Sequence, residues 1–197
     1  MIILGVSCFY HDAAAALLKD GKIIAASEEE RFTRKKHDNG FPKHAIEFCL
    51  KQAGITIKDI NAVIFYEKPF IKFERILYNC IATFPRSCLW FLKAIPAWLN
   101  RKLWFSHILE KETGYRGEVY FGDHHLSHAA SSFYTSPFKE AAYLTVDGVG
   151  EWTTTSMGMA KEGHLKVLKE IHYPHSLGLL YSTFTAYLQF AVNSGEY

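Results

Sequence analysis

The first thirty residues, MIILGVSCFYHDAAAALLKDGKIIAASEEE, set apolar runs between short polar interruptions. They read as strand, sharp polar turn, strand, Asp-Gly turn, strand. The pair Asp20–Gly21 tolerates the positive φ values that a tight hairpin needs. Later, AAYLTVDGVGEWTTTSMGMAKEGHLKVLKEIHY repeats this order, with Glu162–Gly163 at the second turn. Gly5 to Gly21 and Asp147 to Gly163 both span 16 positions, so the blocks align at one offset of 142 residues without a gap. A helix-like segment follows each block. In PKHAIEFCLKQAG, Pro42 stands near the start and Gly54 near the end, the punctuation helices prefer; SLGLLYSTFTAYLQF follows the second block.

Two copies of a β-β-β-α unit predict a duplicated α/β architecture, with a cleft between the copies that receives the turn loops SCFYHD and DGVGEW. The expected boundaries are 1–66 for the first copy, 67–118 for a helical insertion and 119–197 for the start of a second copy, which stops before its sheet closes. Within the insertion, residues 77–105 are rich in large apolar side chains. Arg86, Lys93, Arg101 and Lys102, with Pro85 and Pro96, leave no apolar run of membrane-spanning length. Two helices separated or kinked at the prolines fit better. They form either a covering insertion or an apolar stripe for a partner or a membrane surface.

Composition narrows the class. Of 197 residues, 49% are hydrophobic and 21% charged, which predicts a packed core rather than disorder. A formal charge of +2 is too small to argue for nucleic acid or membrane electrostatics, and no nucleic acid is expected as a partner. Cys8, Cys49, Cys80 and Cys88 form no CxxC pair and read as reduced thiols in or near the core. The N-terminus lacks the basic start of an export signal. A cytoplasmic protein without a transmembrane segment is expected.

The densest chemistry lies in GDHHLSHAASSFY, residues 122–134. His124 and His128 are four apart, which puts both on one helix face, where they can chelate one divalent ion. No glutamate follows His124, so a zinc-protease reading fails. Asp147, ending the strand-like YLTVD, is the best local carboxylate to join them; the bland alternative is a polar helix start. His125 points off that face, to bind substrate or to cap the helix. Gly148 and Gly150 let backbone N–H groups approach a phosphate closely, although hairpins use the same residues for geometry alone. His11 in the first turn is either a general base or a hydrogen-bonded turn residue. Arg31, Arg34, Lys35 and Lys36 form either a solvated loop or a grip on phosphate or carbamoyl oxygen.

Together, GVSCFYHDAAAALLKDGKIIAASEEERFTRKKHDNGFPKHAIEFCL, DHHLSHAASSFYTSPF, VDGVGEWTTT and HSLGLLYSTFTAYLQFAVNSGEY resemble the NodU/CmcH family of carbamoyltransferases over nearly the whole chain. The resemblance implies an actin-like ATPase (ribonuclease H-like) fold, similar to that of the tRNA threonylcarbamoyl-transferase subunit. It also implies a separate C-terminal YrdC-like domain that makes carbamoyl-adenylate from carbamoyl phosphate and ATP, with Mg²⁺ accompanying the nucleotide. The implied reaction passes the carbamoyl group to a hydroxyl of a small-molecule or glycan acceptor. By the same resemblance, His124, His128 and Asp147 hold a metal, His11 is the base on the acceptor hydroxyl, and Lys36 lies near carbamoyl-adenylate.

Iron is the metal the resemblance implies; the ligand types equally permit zinc or manganese. A further aspartate ligand and the YrdC-like domain are missing from these residues, so the chain is expected to be an N-terminal piece without activity of its own. A homodimer is compatible with the sequence. Two other readings stay open: an actin-like sugar kinase or ATPase with Asp147 on Mg²⁺, and a non-catalytic truncated partner subunit.

Overall fold

The structure is a computed structural model and describes residues 1–100, 102–192 and 195. Arg101 and most of the terminal NSGEY motif lie outside the described residues. The chain divides into two compact units. Unit 1 comprises Met1–Pro69 and Cys80–Gly122; unit 2 comprises Phe70–Asn79 and Asp123–Tyr197.

Unit 1 carries strands β1 (Ile2–Ser7), β2 (Ala14–Lys19) and β3 (Lys22–Glu28), a single helical turn α1 (Glu30–Thr33) and helix α2 (Lys43–Ala53). Strand β4 (Ala62–Phe65) comes next, before helix α3 (Pro69–Ala82), which begins in unit 1. Helices α4 (Cys88–Asn100) and α5 (Phe105–Thr113) and strand β5 (Glu118–Phe121) complete it. The strand order is β3-β2-β1-β4-β5. The first three strands pair antiparallel, with Leu4 opposite Leu17, and β4 and β5 add in parallel. That succession is the sheet of an actin-like, ribonuclease H-like half, as the α/β expectation required.

Alternation sets which face is buried. Leu4 and Val6 of β1, Ala15 and Leu17 of β2, and Val63 and Phe65 of β4 are all buried, and they form one core with Ala45, Ile46 and Cys49 of α2 and Phe105 and Leu109 of α5. Helix α2 has no side-chain cap of its own. Buried Glu29, from the end of β3, takes that role: its carboxylate accepts the His44 and Ala45 amides at 3.3 and 2.9 Å and the His44 ring at 2.6 Å.

Unit 2 contains β6 (Glu140–Val146), β7 (Thr153–Lys161) and β8 (His164–His172) as an antiparallel sheet, with helices α6 (His124–Phe133) and α7 (Leu177–Tyr187). The Phe70–Asn79 stretch of α3 belongs here because Asn79 accepts from the Tyr173 hydroxyl at 2.8 Å and Tyr78 packs edge-on to Trp152. The duplication holds at the level of backbone angles. Asp20 and Gly21 have φ of 51° and 77°, and Glu162 and Gly163 have φ of 51° and 76°.

Several expectations need correction. Strand β5 does not open the second copy at residue 119; it pairs with β4, Ala62 opposite Glu118, and so belongs to the first sheet. The gapless repeat covers the strands alone, because α2 begins at Lys43, well after Glu28, whereas α7 begins at Leu177, soon after His172. Cys8, Cys49 and Cys80 are buried free thiols, but Cys88 is exposed. Residues 77–105 do form helices broken near Pro85, with Pro96 inside α4. Among the described residues, no helix is long and apolar enough to cross a membrane.

Candidate metal centre

Helix α6 begins where Asp123 supplies its N-cap, the side chain accepting the Leu126 amide at 3.1 Å. A capping aspartate fixes the first turn, and the next residue is His124. His124 and His128 then project on one face. His124 Nε2 lies 2.7 Å from Asp147 Oδ2 and 3.2 Å from His128 Nε2, and His128 Nε2 lies 3.9 Å from the same carboxylate oxygen. Two donors each about 2.1 Å from one ion stand roughly 3.0–3.4 Å apart in octahedral or tetrahedral geometry. The observed separations bracket that range. Three donor atoms within 4.8 Å of one another, two imidazole nitrogens and a carboxylate oxygen, suit a divalent transition ion such as zinc, iron or manganese.

Asp147 follows β6 directly, its amide bonded to the Thr154 carbonyl at 2.9 Å. Burial pushes its carboxyl up, but the hydrogen bond and charge of His124, then the Gly148 amide and His128, outweigh burial and hold it at about 2. The His128 ring is pushed down from its ordinary value by burial and then by His124, with Asp147 opposing. Neutral imidazole and ionised carboxylate are the forms a metal needs.

Glycines make room for this arrangement. A Cβ on Gly150 would come within 2.8 Å of His124 Cδ2 and 3.1 Å of His125 Cδ2. One on Gly178 would meet the Asp147 carbonyl carbon and oxygen at 2.5 Å. The start of α7 therefore packs against the Asp147–Gly148 peptide. Ser176 caps α7 by accepting the Leu179 amide at 3.0 Å and donates to the Asp147 and Gly148 carbonyls at 3.1 and 2.6 Å.

The remaining candidates fall differently. His125 is buried rather than presented at the surface, with Nδ1 2.7 Å from Thr145 Oγ1, and the capping role belongs to Asp123. The Gly148 amide is engaged by Asp147 Oδ1 at 2.6 Å and so is not free to hold a phosphate. His11 and Lys36 lie in unit 1. Both are exposed, His11 edge-on to Tyr10 with ring centroids 4.1 Å apart.

The segments bearing His11 and Lys36 are tied together. Phe9 and Ala13 amides donate to Asn39 and Asp38 carbonyls at 2.8 Å each, and Asn39 Nδ2 donates to the Tyr10 carbonyl at 3.1 Å. His37 adds a ring contact to Asp12 at 3.1 Å, and its backbone amide donates to the Glu30 carboxylate at 3.1 Å. This stitching, like the roles of Thr145, Ser176 and Gly178, escaped the sequence reading. Asp123 directly before a helix start was a signal that could have been used.

Known proteins are similar to this chain over most of its length. An uncharacterized protein of Synechocystis sp., sll1178, is 52% identical over 203 residues, covering 99% of this chain and 33% of that protein. Nodulation protein NolNO of Sinorhizobium fredii is 35% identical over 190 residues, covering 93% of this chain and 26% of its own length. The chain thus spans about a third or less of these two relatives. Among solved structures, component A of (R)-2-hydroxyglutaryl-CoA dehydratase from Acidaminococcus fermentans is similar, with a TM-score of 0.48 at 14% identity over 98% of this chain and 56% of the other. A likeness of that size says nothing about chemistry. The family model for the carbamoyltransferase N-terminus matches residues 2–197, and the chain belongs to that family.

Proposed function

We propose that this chain is the acceptor-side part of an O-carbamoyltransferase that moves a carbamoyl group from carbamoyl-adenylate to a hydroxyl of a small molecule or glycan. The observation that carries the reading is the convergence of His124, His128 and Asp147 within a chain of this family. The donor is made from carbamoyl phosphate and ATP by a YrdC-like domain elsewhere in the protein.

In the transfer, the acceptor oxygen attacks the carbamoyl carbon and the bond from that carbon to the adenylate oxygen breaks, releasing AMP. His11 takes the proton from the acceptor hydroxyl. Lys36, exposed on the segment tied to the His11 turn, holds the donor by charge. The remaining backbone amides of the Gly148–Gly150 turn would donate to a phosphate oxygen. His124, His128 and Asp147 would hold a divalent ion, and when bound that ion supplies positive charge for the departing AMP. His125 is kept in the site as an inner support rather than a surface contact.

The sugar-kinase alternative fits the donor set poorly, because Mg²⁺ prefers oxygen ligands. The test uses the full-length protein with ATP, carbamoyl phosphate and a panel of hydroxyl acceptors. AMP, pyrophosphate, inorganic phosphate from carbamoyl phosphate, and carbamoylated acceptor are the expected products. ADP with a phosphorylated acceptor would overturn the reading.

A further inference from the structure

We infer that His125 and Thr145 are positioning residues of the metal centre, their buried hydrogen bond setting α6 against β6 so that His124 and His128 meet Asp147. The inference rests on the metal reading above.

His125 is 2% exposed, Thr145 7% and Ser156 1%. His125 Nδ1 lies 2.7 Å from Thr145 Oγ1, and Thr145 Oγ1 lies 2.7 Å from Ser156 Oγ on the opposing strand. Thr145 and Ser156 face each other in the β6–β7 register. The bond therefore runs from the helix through one strand into the next.

Its leverage comes from sequence adjacency. His125 follows His124 on α6, and successive helix residues project about 100° apart, so fixing the direction of one side chain fixes the other. Thr145, on β6, precedes Asp147 by two, and Asp147 follows the strand directly. Each residue of slip along a strand moves a side chain by about 3.3 Å, enough to separate the carboxylate from both imidazoles. Gly150 closes the other side, its absent Cβ leaving space that the His124 and His125 rings occupy. One buried bond thus joins the helix neighbour of one ligand to the strand neighbour of another. An imidazole this deeply buried has a strong preference for the geometry that keeps its partner.

The hydroxyl of Thr145 both donates and accepts; valine has the same shape and does neither. The experiment uses full-length protein, with Zn²⁺ alone as probe in competition with a chromophoric chelator. Metal-free thermal midpoints are recorded alongside. Thr145→Val is expected to weaken zinc by roughly 10- to 100-fold, the usual effect of losing a residue that supports a ligand. Thr145→Ser should restore most of the affinity. A valine variant that binds zinc like wild type while melting earlier would make the bond merely structural and overturn the inference.

If the valine variant does not fold, His125→Asn and His125→Leu ask the same question. Asparagine can keep a polar atom toward Thr145 and should retain more affinity than leucine; equal affinities overturn the inference. Wild-type protein that binds no zinc overturns the metal reading and this inference together. Wild-type binding with unaffected variants overturns this inference alone.

Discussion

His124 Nε2 stands 2.7 Å from Asp147 Oδ2 across 23 residues of sequence. The contact joins the first residue of a helix to the residue just after a strand. The two sides differ in access: the His124 side chain is 8% exposed, Asp147 33% and His128 53%. One candidate ligand is buried inside unit 2 while another opens to solvent, so an ion bound there would stay open to a substrate oxygen.

Exposed His128 gives the cleanest test of the metal reading. Substituting His128 by alanine removes a half-exposed side chain at a surface position, so the stability change should be about 0.5 kcal/mol or less. Metal bound to the purified full-length protein should fall to a small fraction of wild type, read by elemental analysis. Unchanged metal content would leave His124 and His128 as a polar helix start only.

Metal-free protein should show the Asp147 interaction as a pH-dependent stability. The folded carboxyl sits at about 2, below its usual 3.8, so the folded state gains from ionised Asp147 at any pH above the unfolded value. That gain is lost as pH falls through the folded value. Asp147→Asn is therefore expected to melt earlier than wild type near neutral pH, and the two melting curves should converge near pH 2. Thermal scans across that range decide it, and equal midpoints at neutral pH would contradict the pairing.

Gly178 supports the site from the start of α7. A methyl group there meets the Asp147 carbonyl and the Gly148 nitrogen, which are backbone atoms with nowhere to move. Gly178→Ala should cost about 1–3 kcal/mol, the range for overpacked sites, and should weaken metal binding as well. Gly163 is the control, since nothing lies within 4 Å of its added Cβ and only its φ of +76° is unfavourable. Urea midpoints of the two alanine variants should differ clearly.

His11 should separate the two half-reactions. With His11→Asn in the full-length protein, carbamoylation of the acceptor should fall by about 100- to 10,000-fold, the usual range for loss of a general base. Pyrophosphate release and metal content should persist, because neither requires His11 chemistry. A parallel fall in pyrophosphate release would mean that the His11 turn is needed for more than proton removal.

The duplicated strands were legible because they depend on local signals. Alternating apolar residues and the pairs Asp20–Gly21 and Glu162–Gly163 specify hairpins within a few residues of chain, and the same φ values recur in both turns. The face shared by His124 and His128 was legible for the same reason, since helical periodicity alone puts i and i+4 together. Where β5 belongs was not. Its four residues EVYF state that they form a strand, while the choice of sheet depends on the parallel pairing with β4, more than 50 residues earlier.

The interior of the site lay further out of reach. That Asp147 joins the histidines could be proposed from its position after a strand, but its closeness to His124 arises only when α6 packs on β6. The partnership of His125 with Thr145 and Ser156 has no trace in spacing, because a buried polar bond is chosen by whichever side chains the packed helix and sheet bring within about 3 Å of each other. Sequence determined the elements and which residues share a face; tertiary packing decided which faces meet, since only burial makes one polar partner worth more than water.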